Sequence, residues 1–357
     1  MRVDCWQMSA PGRPLERAVR EEPPPVRGEV IVAVAGCGVC HTDLGYLDAG
    51  VPVRGRLPIT LGHEISGRVI AAGPGAETLV GAAVVVPAVL PCGDCELCRA
   101  GRGSICRQQV FPGNDVHGGF ASHVRVPARG LCRVDATRDV ELDLVDLAVL
   151  ADAVTTPFQS IRRSGLRGGD LAIVVGAGGV GGFCVQIAAA LGATVVAIDV
   201  DDERLAALEP HGAALTLNAA NQPGAGALRN AVRGFAKERG LPAACWKIFE
   251  CSGSPAGQET AFSLLGPGAY LGVIGFTPES VKVRLSNLMA FDARAEGNWG
   301  CAPDLYPEAL ELVAAGSVAL KPFVERHPMS RINQSLDAIR AGRIRRRVIL
   351  EPDFVSR

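Results

Sequence analysis

Four of the twelve cysteines in this 357-residue chain are grouped at ligand spacing. Cys92, Cys95, Cys98 and Cys106 are separated by two, two and seven residues. Four thiolates can close a tetrahedral zinc shell with no open position, and such a site staples a loop without doing chemistry. A four-cysteine iron–sulfur cluster is the rival, but the following proline and second cluster motif that go with it are missing from the sequence. Two further segments offer mixed ligands. Gly36-Cys37-Gly38-Val39-Cys40-His41-Thr42-Asp43 follows an apolar run, and Gly62-His63-Glu64 precedes another. Taken alone, each reads equally well as a buried cysteine after a strand or a histidine in a tight turn.

A third constellation is built to hold phosphate. Asp170 to Asp199 reads DLAIVVGAGGVGGFCVQIAAALGATVVAID. An apolar run of strand length, Leu171 to Val175, leads into Gly176-Ala-Gly178-Gly179-Val180-Gly181. An amphipathic run from Val180 to Leu191 follows, then a second apolar run that finishes on Asp199. In such a turn Gly176 makes the tight bend, Gly178 admits a pyrophosphate, and Gly181 lets helix pack on strand. The phosphates then rest on the partly positive helix N-terminus. Asp199 is placed to accept hydrogen bonds from a ribose diol, and Val200-Asp201-Asp202 continue with no basic residue before Arg204. That acidic edge favours NAD over NADP.

Around these sites the chain divides by pattern. Residues 1–153 are rich in short β-like runs separated by Gly and Pro: Glu29–Ala35, Ile65–Ala71, Ala83–Val89 and Phe120–Val126. Asp143–Leu150 reads as a helix. Residues 154–298 alternate strand and helix, which predicts a parallel sheet covered on both faces. Residues 299–357 carry two helical patterns, Asp304–Ala315 and Ser330–Ala341, and a closing strand, Arg347–Glu351. This tail is expected to return to the first domain and make it discontinuous. A formal net charge of −1 argues against a nucleic-acid or membrane-surface role carried by bulk charge. No apolar stretch is long enough to span a bilayer, and the N-terminus lacks a signal-peptide core. Cysteines clustered at ligand spacing or placed in apolar runs fit a reducing, cytoplasmic setting.

GVCHTD, GHE, the four-cysteine loop and GAGGVG, in this order and spacing, resemble the zinc-dependent alcohol dehydrogenases of the medium-chain type over essentially the whole chain. The resemblance implies an α/β protein, with a discontinuous GroES-like β-rich catalytic domain and a doubly wound Rossmann domain. It implies two zinc ions, the second held by Cys40, His63 and a ligand from Leu150-Ala-Asp152. There the best-known members have cysteine and this chain has Asp152; a carboxylate oxygen is an acceptable ligand. Glu64 is the alternative, as an exchangeable ligand or a supporting group. An open fourth position would let zinc polarise an alcohol oxygen, with hydride passing to the nicotinamide. Thr42 resembles the hydroxyl that relays the alcohol proton, and His41 falls near the cofactor. Many relatives continue CHTDLH, but here Gly45 stands where their relay histidine does. Further cofactor contacts are implied at Thr156, Val200, Arg204, Cys251, Ser252, Ile274, Gly275, Phe276, Asn298 and Trp299, with Arg346 or Arg347 at the pyrophosphate.

Four stretches go further: 113–132, 150–159, 247–254 and 284–304 look like the 6-hydroxycyclohex-1-ene-1-carbonyl-CoA dehydrogenases of anaerobic aromatic-acid breakdown. That likeness implies a small-molecule substrate carried on a CoA thioester, for whose phosphates Arg13, Arg54 and Arg56 are candidates. Phe276 and Trp299 read either as an apolar pocket wall or as core. Two alternatives stand beside it: a dehydrogenase of simple secondary alcohols or polyols, and a zinc hydratase or hydrolase acting on an unsaturated cyclic acyl-CoA. A homodimer or homotetramer is the expected assembly.

Overall fold

The computed structural model describes residues 1–134, 143–222 and 224–354. Two compact units are formed. One comprises Met1–Thr155, Gly300–Ala314 and Leu320–Arg357, and the other Thr156–Trp299 with Ala315–Ala319.

The first unit is built on a seven-stranded sheet. Its central strand, Glu29–Gly38, pairs antiparallel with Glu64–Ala72, with His123–Pro127 and with the closing strand Arg347–Glu351. The tail thus completes the sheet that the N-terminal segment began. Val30, Val32, Val34, Ile65, Val69, Val84, Val86, Val348 and Leu350 fill its core, and Phe120 joins them from the loop before His123–Pro127. Several expected boundaries move. The strand starting at Ala83 ends at Val86 because Pro87 has no N–H to continue the ladder. The strand expected from Phe120 begins at His123. Asp143–Leu150 is not an α-helix; Asp146–Ala151 forms a tighter 3₁₀ run with every residue buried. A helix that the sequence pattern did not announce, His41–Asp48, follows directly on Cys40.

The second unit holds a six-stranded, wholly parallel sheet. Its spatial order is Ala213–Asn218, Thr194–Asp199, Leu171–Val175, Lys247–Glu250, Tyr270–Val273 and Arg294–Gly297. Numbered along the chain that is 3-2-1-4-5-6, the doubly wound dinucleotide-binding order. Leu171–Val175 is buried along its whole length, as a strand covered on both faces must be. Among the described residues no helix is long and apolar enough to cross a membrane.

Candidate metal centres and cofactor turn

The thiols of Cys92, Cys95, Cys98 and Cys106 converge within 4.8 Å of one another. The sulfurs of Cys92 and Cys98 are 3.8 Å apart, Cys95 and Cys98 3.5 Å, and Cys95 and Cys106 3.7 Å. Four sulfurs at zinc–thiolate distance around one tetrahedral ion stand about 3.8 Å apart, so the cradle has the right size. Backbone N–H groups aim at the sulfurs: Asp94 and Cys95 donate to Cys92 Sγ, and Gln108 to Cys106 Sγ. The N–H groups of Asp94 and Cys95 pull the Cys92 thiol down to about 6, which favours the thiolate a metal requires.

The second cluster joins three separate stretches of the first unit. Cys40 precedes the helix His41–Asp48 and is fixed by a reciprocal cap, its N–H donating to Asp43 Oδ2 at 2.9 Å. His63 and Glu64 lie at the start of the strand Glu64–Ala72, and Asp152 ends the 3₁₀ run. Ligand atoms of Cys40, His63, Glu64 and Asp152 lie within 4.8 Å of one another. Asp152 Oδ2 is 3.9 Å from Cys40 Sγ and 3.6 Å from His63 Nε2. Tetrahedral zinc with mixed S, N and O ligands sets neighbours roughly 3.3–3.8 Å apart, so these residues fit the ion.

Electrostatics fit too. Burial pushes the His63 imidazole down, but the carboxylates of Asp43 and Asp152 outweigh it and hold the ring well above its ordinary value. A divalent cation would take over from that proton. Asp43 is fully buried, with Oδ1 3.6 Å from His63 Nδ1 and accepting from Gly62 N at 3.2 Å. It stands behind the imidazole as a charge partner, a placement that sequence reading missed although Asp43 stood inside GVCHTD. Glu64 turns to Arg347: Arg347 Nε donates to Glu64 Oε2 at 3.1 Å, and Nη2 bonds Oε1. Arg347, expected at a pyrophosphate, is instead buried in this pair, while Arg346 is exposed. Thr42 Oγ1 lies 3.5 Å from Cys40 Sγ, and His41 is exposed at the first helical position. Phe111, which sequence reading also missed, packs its ring on His63 at 5.1 Å between centroids.

In the second unit Gly176 takes φ +94°, and a Cβ on Gly181 would fall 1.7 Å from the Gly176 carbonyl oxygen. Asp199 is 9% exposed and braces this turn: Oδ2 accepts from Ala177 N at 2.5 Å, Oδ1 from Val200 N at 2.7 Å and Asp201 N at 3.0 Å. Arg204 reaches toward the turn, its Nη1 3.9 Å from where a Cβ of Gly178 would stand. Cys251 and Ser252 follow the strand Lys247–Glu250, and the fully buried Glu250 accepts from Ser252 N, Ser252 Oγ and Gly253 N through Oε1. Glu250 was not singled out, although an acid in the apolar run KIFECSG was the available signal. Ile274 N and Gly275 N donate to the Glu250 carbonyl at 2.9 and 3.0 Å. Asn298 bridges Gln159 and the Thr156 carbonyl. Phe276 and Trp299 are 63% and 45% exposed, so neither is core. Of the three candidate phosphate-binding arginines, Arg13 and Arg56 are exposed, and Arg54 Nε lies 3.1 Å from Asp115 Oδ1.

Comparison with known proteins agrees with this layout. Residues 26–136 match the alcohol dehydrogenase GroES-like domain, and residues 179–315 the zinc-binding dehydrogenase domain. An alcohol dehydrogenase of Geobacillus stearothermophilus is 31% identical over 344 residues, covering 96% of this chain and 97% of the relative. Galactitol-1-phosphate dehydrogenase from Escherichia coli superposes with a TM-score of 0.85 at 26% identity, over 98% of this chain and all of that one. A protein described as a zinc-binding dehydrogenase of Sinorhizobium meliloti 1021, bound to NADP, superposes at 0.84 with 25% identity, over 99% and 100% of the two chains.

Proposed function

This chain belongs to the zinc-dependent alcohol dehydrogenase family, and we propose that it oxidises a secondary alicyclic alcohol carried on a CoA thioester, with NAD as acceptor. The proposed substrate is 6-hydroxycyclohex-1-ene-1-carbonyl-CoA and the product its 6-oxo counterpart. The observation that carries the chemistry is the convergence of Cys40, His63 and Asp152. When bound there, zinc supplies a Lewis acid, and NAD at the glycine turn supplies a hydride acceptor.

The chain's own residues have separate tasks in this reading. Cys40, His63 and Asp152 hold the metal, and Glu64, engaged by Arg347, stands beside it. Thr42 Oγ1 takes the proton leaving the substrate hydroxyl as it hands its own proton on. With Gly45 in place of an imidazole, the way outward runs through the cofactor ribose to water, to His41, which is exposed on the same helical turn, or to another group. Gly176–Gly181 cradle the pyrophosphate, and Asp199 takes the adenosine ribose.

The substrate rests on the likeness of stretches 113–132, 150–159, 247–254 and 284–304 to dehydrogenases of that CoA ester. A second reading, oxidation of simple secondary alcohols or polyols, is favoured by the similarity to galactitol-1-phosphate dehydrogenase. One experiment separates them. The protein is incubated with NAD and either the cyclic hydroxyacyl-CoA or a panel of secondary alcohols and polyols, following NADH and product mass. NADH with loss of two hydrogens from the CoA ester, at a kcat/KM well above that of any panel member, is the expected result. Preference for a polyol overturns the substrate, and gain of one water without NADH overturns the reaction.

A further inference from the structure

Asp152 is the least conventionally placed of the three proposed ligands. It caps a 3₁₀ run, at φ −146° and ψ −58°, outside both helical and extended geometry. The peptide that leads into such a residue helps to set the direction in which its side chain leaves the backbone. That peptide is planar, and its carbonyl oxygen belongs to Ala151.

The Ala151 carbonyl is clamped by a residue far along the chain. Tyr306 begins the helix Tyr306–Ala314, is 0% exposed, and is the bulkiest of the fully buried side chains among the described residues. Its hydroxyl donates to the Ala151 oxygen. The same hydroxyl accepts from Ala88 N at 3.3 Å, and Ala88 N also lies 3.3 Å from the Ala151 oxygen. One hydroxyl therefore ties the Ala151–Asp152 peptide to the segment that follows the strand Ala83–Val86. The ring fills the core, and the buried hydroxyl, which needs a partner wherever it lies, spends both its donor and its acceptor on this junction.

We propose that Tyr306 is a positioning residue for the catalytic metal, its hydroxyl fixing the peptide that presents the Asp152 carboxylate. The inference rests on the reading of Asp152 as a metal ligand. It also gives the returning segment 300–314 a direct part in the metal site. Groups that hold metal ligands in place typically contribute 10- to 100-fold in metal affinity.

The test compares Tyr306→Phe, which keeps the ring and removes the oxygen, with Asp152→Asn and the unaltered protein. Each is depleted of catalytic-site metal, reloaded with cobalt(II), and followed by visible absorption and by metal loss to a chelator. Metal content at the four-cysteine loop and the thermal midpoint serve as controls. Tyr306→Phe is expected to bind catalytic-site cobalt about tenfold more weakly, with shifted absorption bands, and to keep the four-cysteine metal. A folded Tyr306→Phe with unchanged affinity and bands, beside an Asp152→Asn that has lost its metal, overturns the positioning role alone. If Asp152→Asn also binds normally, Asp152 is no ligand and the reading beneath the inference fails. Should Tyr306→Phe not fold, 3-fluorotyrosine at position 306 keeps shape and oxygen while changing donor strength. A shift in the cobalt bands then supports the role, and unaltered bands overturn it.

Discussion

The carboxylate of Asp199 accepts backbone N–H groups from Ala177, Val200 and Asp201, three of the roughly four hydrogen bonds a carboxylate can take. The remaining site is what a ribose hydroxyl needs. A 2′-phosphate arriving there would meet this carboxylate with Asp201 and Asp202 beside it, so repulsion adds to the lost hydrogen bond. Asp199→Ala is expected to lower the ratio of kcat/KM for NAD over NADP by about 10- to 100-fold, the worth of a hydrogen bond to a charged group. The ratio is the quantity to read, because the substitution also frees Ala177 N and loosens the glycine turn for both cofactors. An unchanged ratio would remove Asp199 from cofactor choice. Residues of this kind were legible in the sequence because their place in a motif is local: Asp199 ends the strand that follows the glycine turn. Glu250 and Asp43 were not. Their significance lies in burial and in the N–H groups they gather, and neither property has a spacing that one sequence displays.

Elements were legible where a continuous apolar run met a turn residue. Leu171–Val175 and Arg347–Glu351 fall where the pattern puts them, each a run of strand length with a clear stop. His41–Asp48 escaped notice because its sequence, HTDLGYLD, carries a central glycine and no sustained apolar stripe. It is held by the Cys40–Asp43 cap and by what Asp43 and Tyr46 bury, all of which are tertiary facts. The loop from Cys92 to Cys106 is the opposite case, readable from spacing alone. Within it only Ser104 and Cys106 are buried, and its helix Glu96–Arg99 is a single turn. So little apolar burial cannot order the loop, and metal binding must supply the difference. Cys95→Ser should therefore halve the zinc content, lower the thermal midpoint and open the loop to protease, with the metal at Cys40 and His63 retained. A loop that stays protease-resistant with one zinc missing would show that packing, not metal, orders it.

Across the whole molecule, the first unit is closed by a pair 283 residues apart, Glu64 and Arg347. Glu64 is 0% exposed and Arg347 6%. Burial pushes the Glu64 carboxyl up, and Arg347 opposes that shift. Each charge is tolerable inside only because the other is there. The pair also fastens the closing strand to the strand that starts at Glu64, with Glu29–Gly38 lying between them and pairing with both. No window of sequence could announce this. Arg347 stands in a basic run, Arg343 to Arg347, that reads as a solvated face, and Glu64 reads as a companion of His63. Breaking a buried pair from one side leaves an uncompensated charge and typically costs about 3–5 kcal/mol, whereas replacing both partners with uncharged groups of similar volume is far milder. Arg347→Met alone should accordingly lower the urea midpoint of the first unit sharply. Glu64→Gln combined with Arg347→Met should recover much of the loss, so that the double variant costs well below the sum of the two single variants. Additive single and double variants would mean that the two side chains are neighbours without being partners, and that the sheet alone holds the tail in place.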